Sequence, residues 1–171
     1  ELVITDLGFN LVPDDQLQSY RAWGLSGSAD GNGFWLNRDT GLEFASQGEL
    51  RWDHSSGSGS VAVTGAKFPV RPGERLNCRY QYARTGAAGT IAGVMGLAFQ
   101  KRDGTTVIRN MGVFSTTSGS VQQAARELID VPDGCWSARW RLSVDKGLSN
   151  TDGRFGGFEA VKKSNASVLI T

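Results

Sequence analysis

The chain is poor in the residues that carry most catalytic and metal chemistry. Among 171 residues there is one histidine, His54, and there are two cysteines, Cys78 and Cys135. A Ser-His-Asp relay would have to use His54, yet no G-x-S-x-G elbow accompanies it. Neither a CxxC pair nor a Cys/His cluster is present, so no zinc site is expected. The two cysteines either bridge or sit as two buried thiols, and spacing alone leaves both open. Prolines number four and the formal net charge is +1, with the charges interspersed rather than in blocks. Nothing in that balance draws the chain toward nucleic acid or acidic membranes. No apolar run reaches the length of a membrane-spanning helix, so we expect no membrane insertion. A secretory leader is not visible, and the chain starts at Glu1. We therefore expect residues 1–171 to be one module excised from a longer chain, with any targeting signal lost.

What the sequence has is glycine, 23 residues of it, spread among short apolar runs. Such a chain has many turns and belongs to the all-β class. Alternation of period two supports this. In "LNCRYQY", Leu76, Cys78, Tyr80 and Tyr82 share one face, while Asn77, Arg79 and Gln81 share the other. In "WSARWRLSV", Trp136, Ala138, Trp140, Leu142 and Val144 take one face, while Ser137, Arg139, Arg141 and Ser143 take the other. "VMGLAFQ" groups Met95, Leu97 and Phe99. Turn chemistry separates these runs: Pro-Gly in "RPGE" and Asp-Gly in "KRDGTT". "NRDTG" is read as a further hairpin turn, and "DHSSGSGS" as a loop tip. Strands are expected at 2–5, 34–38, 41–46, 48–53, 60–68, 75–83, 92–100, 105–111, 125–130, 136–144, 154–162 and 167–170. Helix is nearly absent, one short turn near Pro13–Tyr20 excepted. This density of short strands argues for a two-sheet antiparallel β-sandwich, a single module over 1–171.

The order of segments resembles one group of modules. "FNLVPDDQLQSYRAWGLSG" looks like the opening of carbohydrate-binding-module-like jelly rolls. "FPVRPGERLNCRYQYART" and "GLAFQKRDGTTV" resemble their middle strand and hairpin. "IDVPDGCWSARWRLSV" and "TDGRFGGFEAVKK" resemble their last core strands. Such modules occur in phage tail fibres and tail-tip proteins and as appendages of secreted glycoside hydrolases. The resemblance implies a jelly roll that binds glycan. It implies no catalysis and no required cofactor. Some members hold a structural calcium, for which Glu159 is the candidate ligand; Ala160 stands where a second acid is often found.

The candidate site residues follow from the faces. If Trp136 and Trp140 point into the core, Arg139 and Arg141 point out, beside Arg79 and Gln81 should the two strands be sheet neighbours. Those arginines are either an ordinary solvated face or a groove of donors for hydroxyls, carboxylates or phosphates. Trp23, Trp35 and Trp52 lie beside turn-rich segments and are either core anchors or flat platforms for sugar rings. Trp52 precedes Asp53 and His54, two hydrogen-bonding neighbours. Glu43, Glu49, Asp53 and Glu159 supply carboxylates, but no pair is singled out for glycoside hydrolysis. The function expected is a non-catalytic receptor-binding module of a phage tail, extracellular on the virion, recognising bacterial surface polysaccharide. A homotrimer through the parent fibre fits that setting. The alternatives are a structural or assembly module of a tail and an accessory binding module of a secreted polysaccharide-degrading enzyme.

Overall fold

The computed structural model describes residues 2–4, 9–13, 17–19, 21–23, 33–37, 44, 46, 48–53, 57–86, 88–163 and 168–170. Twelve strands are found there: β1 Leu2–Ile4, β2 Phe34–Asn37, β3 Glu49–Trp52, β4 Ser60–Thr64, β5 Phe68–Pro69 and β6 Arg75–Arg84. They continue with β7 Ile91–Lys101, β8 Thr106–Thr116, β9 Gln122–Asp130, β10 Cys135–Asp145, β11 Gly153–Lys162 and β12 Val168–Ile170. Among the described residues the helical content is one 3-10 turn, Arg21–Trp23. Every strand pairing is antiparallel. One sheet runs β4-β10-β7-β8, with β5 also on β10; the other runs β2-β3-β11-β6-β9. A separate ladder joins β1 and β12.

The chain passes from one sheet to the other at most connections, and this makes the sandwich a jelly roll. Among the described residues β2 and β3 pair over four residues, and β7 and β8 form a long hairpin. Its turn is the Asp-Gly pair read from the sequence. Gly104 takes φ +89°, and Asp103 Oδ1 accepts the Thr105 N–H at 2.8 Å. The Arg71–Glu74 turn likewise has Gly73 at φ +81° and closes with Glu74 N–H donating to the Arg71 carbonyl at 3.1 Å. Between the sheets Trp140 lies 5.4 Å from Phe158 and 6.1 Å from Tyr80, and Phe114 lies 5.3 Å from Phe155. Met95, Leu97, Phe99, Leu142 and Val144 fill the same layer, all fully buried. Cys78 and Cys135 are both free thiols, buried in this core. Burial pushes the Cys78 thiol up to about 12, with a smaller contribution from the Glu159 carboxylate.

Two sequence expectations are corrected. Trp136 does not face the core. Cys135 pairs with Lys101, and the next pair is Ser137 with Gln100, so Trp136 is the extra residue of a β-bulge. Cys135 takes the inward place, fully buried, and Trp136 turns out with 43% of its surface exposed. The bulge breaks the period of two at that point; from Ala138 to Leu142 buried and half-buried residues alternate, and Ser143 beyond them is buried as well. The second correction concerns 41–46. Phe44 and Ser46 lie in bends, and the other residues of that run fall outside the described residues, as does most of the Asn37–Gly41 turn. Phe44 is buried over Gly156, where an added Cβ would come 2.9 Å from its ring.

Candidate functional site

The sandwich has two outer faces, and the sequence-predicted site residues are divided between them. The outward side of β2-β3-β11-β6-β9 carries Trp35, Arg51, Arg154, Glu159, Arg79 and Gln81. The outward side of β4-β10-β7-β8 carries Arg139 and Arg141. Arg79 is therefore not a sheet neighbour of Arg139 or Arg141, contrary to the expectation from the strand patterns. β6 pairs with β9 and β11, while β10 pairs with β4, β5 and β7. A groove of three guanidiniums does not form.

On the first face charge is neutralised within the protein. Arg79 and Glu159 are a cross-strand pair, and Arg79 Nε donates to Glu159 Oε2 at 2.7 Å. The Glu159 carboxylate is thus engaged by a guanidinium. Arg75 meets Asp130 at 3.0 Å. Glu49, with no exposed surface, accepts from Arg51 Nε at 2.5 Å and from Asn37 Nδ2 at 3.3 Å, and Arg154 stands 3.9 Å away. Burying a carboxylate is costly without such partners. Trp35 is half-buried; its indole N–H donates to Asp53 Oδ1 at 2.9 Å and Arg51 lies 5.4 Å from the ring centroid. Trp52 is fully buried against Phe34, and Trp23 against Phe158. Neither offers a ring to a ligand, which corrects the reading of Trp52 as a stacking surface. His54 lies outside the described residues.

The second face is built differently. Its central strand β7 turns small residues outward: Ala92, Val94, Gly96 and Ala98. Gly96 has no alternative, since an added Cβ would lie 2.6 Å from the Arg109 carbonyl oxygen. Larger chains of β10 and β8 flank this line. At one end a groove of about 590 Å³ opens, lined by Thr90, Ala92, Val94, Val113, Ser115, Ser143 and Asp145 among others. Val113 and Leu148 stand at it, both strongly exposed. Asp145 Oδ1 is occupied by the N–H groups of Gly147 and Leu148. From the groove the outward side chains of β10 continue to Arg141 and Arg139, half-buried, and past the bulge to Trp136. Arg139 and Arg141 have no ion pair or side-chain hydrogen bond among the described residues. Arg102 lies over the Trp136 ring, 4.2 Å from its centroid. Lys67, just before β5, donates across β10 to Gln100 Oε1.

Trp136 and the groove were missed by the sequence reading. The signal for Trp136 was present: Cys135 and Trp136 are adjacent apolar residues, and a regular strand cannot bury both. The groove depends on which strands become neighbours, and that pairing is not written in any one strand.

Comparisons with known proteins agree with this architecture. No protein-family model matches the chain, and no curated protein sequence matches it. Solved structures do. Bacteriophage CBA120 tailspike protein 4, in its enzymatically active domain, superposes with a TM-score of 0.64 at 14% identity. The match covers 90% of this chain but only 21% of that one. The jelly roll is shared with solved carbohydrate-binding modules. The C-terminal family 22 module of Clostridium thermocellum Xyn10B matches with a TM-score of 0.58 at 12% identity, over 96% of this chain and 99% of that one. TmCBM61, solved with β-1,4-galactotriose, gives 0.60 at 14% identity, over 90% and 99%. This chain therefore spans about a fifth of that tailspike domain and nearly the whole of the two binding modules.

Proposed function

We propose that this jelly roll is a non-catalytic glycan-binding module and that its ligand lies along the outer face of β4-β10-β7-β8. The observation that carries the reading is the row on β10. Two guanidiniums with no ion pair or side-chain hydrogen bond among the described residues run from a largely apolar groove, edged by Ser60, Thr90 and Ser115, on a fold shared end to end with carbohydrate-binding modules. Guanidinium forks and hydroxyls donate to sugar oxygens, while Val113 and Leu148 offer apolar surface to C–H faces. A shallow open face binds weakly at each contact, and a parent assembly that presents several copies raises the avidity. In the reading we favour, the parent is a phage tail protein, the module is extracellular on the virion, and the ligand is bacterial surface polysaccharide. The tailspike likeness supports this setting. An accessory role beside a secreted glycan-degrading enzyme is the second reading, supported by the full-length likeness to the Xyn10B module.

A glycan array with the purified domain tests the function, followed by gel retardation in the best polysaccharide. Retardation is expected for the parent and for Arg79→Ala, and is lost in the Arg139→Ala/Arg141→Ala double variant. A domain retained by no glycan contradicts the reading, and so does a folded double variant retarded like the parent.

A further inference from the structure

The two outer faces differ in how their cations are balanced. On β2-β3-β11-β6-β9 the arginines Arg51, Arg75, Arg79 and Arg154 each have a carboxylate within 4 Å. On the opposite face Lys67, Arg102, Arg139 and Arg141 have none among the described residues. The nearby acids are committed or distant from the row. Asp103 holds its own turn through Thr105, Asp145 holds the turn after β10, and Asp133 is exposed in the loop before β10. Like charges gathered on one surface repel, and solubility alone needs no such row.

From this we infer that the polymer held along β10 is an acidic polysaccharide, with carboxylate-bearing sugars read by Arg139 and Arg141 and a sugar ring packed at the Trp136–Arg102 pair. The inference rests on the glycan-binding reading and specifies its ligand. Outward residues two apart on a strand are about 7 Å apart, so Arg139 and Arg141 present two forks in line along the chain direction. Each fork matches a carboxylate in a bidentate way that a single hydroxyl cannot match. Beside them stand Ser137 and Thr64, half-buried neutral groups suited to hydroxyls. Trp136 ends the row. It is exposed by a bulge rather than by a loop, so its backbone is held by the sheet, and Val70 N–H donates to its carbonyl at 3.2 Å. A guanidinium on its ring places a charged donor beside apolar surface, the combination that a sugar with an apolar face and a carboxylate requires. A nucleic acid fits less well: the net charge of +1 and the sparse, hydroxyl-interleaved row lack the dense basic surface that a phosphate backbone needs.

The test titrates the domain against polygalacturonate, alginate and hyaluronate, each beside its own carboxyl-reduced product, and against a duplex DNA oligomer. At least one acidic polymer is expected to bind about tenfold or more tightly than its reduced form. That preference should shrink as ionic strength rises from about 0.01 M to about 0.15 M. Arg139→Gln/Arg141→Gln should remove the preference and the salt dependence together, and Trp136→Ala should weaken binding without removing the salt dependence. Urea midpoints of the variants establish that they are folded, and Arg139→Lys, which keeps charge but loses the fork, should recover only part of the affinity. Equal or tighter binding to the reduced polymers overturns the acidic ligand while leaving a neutral-glycan module intact. DNA bound as tightly as the acidic polymers also overturns it. Binding to no polysaccharide overturns both the inference and the function beneath it.

Discussion

Single side chains on one strand have opposite fates here, and the difference is measurable. Trp140 and Trp136 are four residues apart on β10. Trp140 sits between Tyr80 and Phe158, and Trp140→Ala should cost about 3–5 kcal/mol through the cavity it leaves. Trp136 is half in water with Arg102 on its ring, and Trp136→Ala should cost about 1 kcal/mol or less. Urea unfolding compares the two; equal midpoint shifts would contradict the bulge. Cys78 gives a pH signature. Its thiol has a pKa of about 12 in the folded protein against 9.0 for the free group. The unfolded chain therefore loses this proton first as pH rises. The contribution of Cys78 is fully present below pH 9 and falls away between about 9 and 12, by up to about 1.4 kcal/mol per pH unit. Stability curves of the parent and Cys78→Ala should converge over that window. Parallel curves would show that the thiol is not held protonated.

At the scale of elements, most of the architecture was legible because its strands alternate cleanly and its turns use residues with fixed backbone demands. β6, β7 and β10 fall within a residue or so of their expected positions for that reason, and the Asp-Gly hairpin joins the two strands it was expected to join. The failures are physical in kind. A bulge shifts the phase of β10 by one residue, and period reading carries no information about an inserted residue. Sheet partnership failed for a different reason: the polar faces of β6 and β10 look alike, but a jelly roll sends them to opposite sheets. The candidate face was legible in part for the same reasons, since Arg139 and Arg141 do turn outward as read, while Arg79 was placed beside them and Trp136 was placed in the core. Close strand contacts make a further prediction. At Gly93 of β7 an added Cβ would meet the Ser143 carbonyl oxygen at 2.1 Å and Phe114 at 2.7 Å. Gly93→Ala should destabilise by about 2 kcal/mol or more, because backbone of β10 would have to move. Gly119→Ala, whose nearest neighbour is Arg84 oxygen at 3.9 Å, should stay within about 0.5 kcal/mol. Thermal melts of the pair check the contrast.

For the whole molecule, the two outer faces differ in how far their side chains are engaged within the protein. One outer face is closed by internal ion pairs and by Phe44, and the other carries the groove, two arginines with no ion pair among the described residues, and the exposed indole. Two sheets packed through one aromatic core keep the second face fixed, so a ligand held there as proposed would need little reorganisation. A nitrogen-15 correlation spectrum reports both faces at once during titration with the polysaccharide that binds best. The arginine Nε–H signals of Arg139 and Arg141 and the indole signal of Trp136 should shift together with ligand. Those of Arg79 and Trp35 should stay in place. Shifts confined to Trp35 and Arg79 would put the ligand on the opposite sheet and contradict the account.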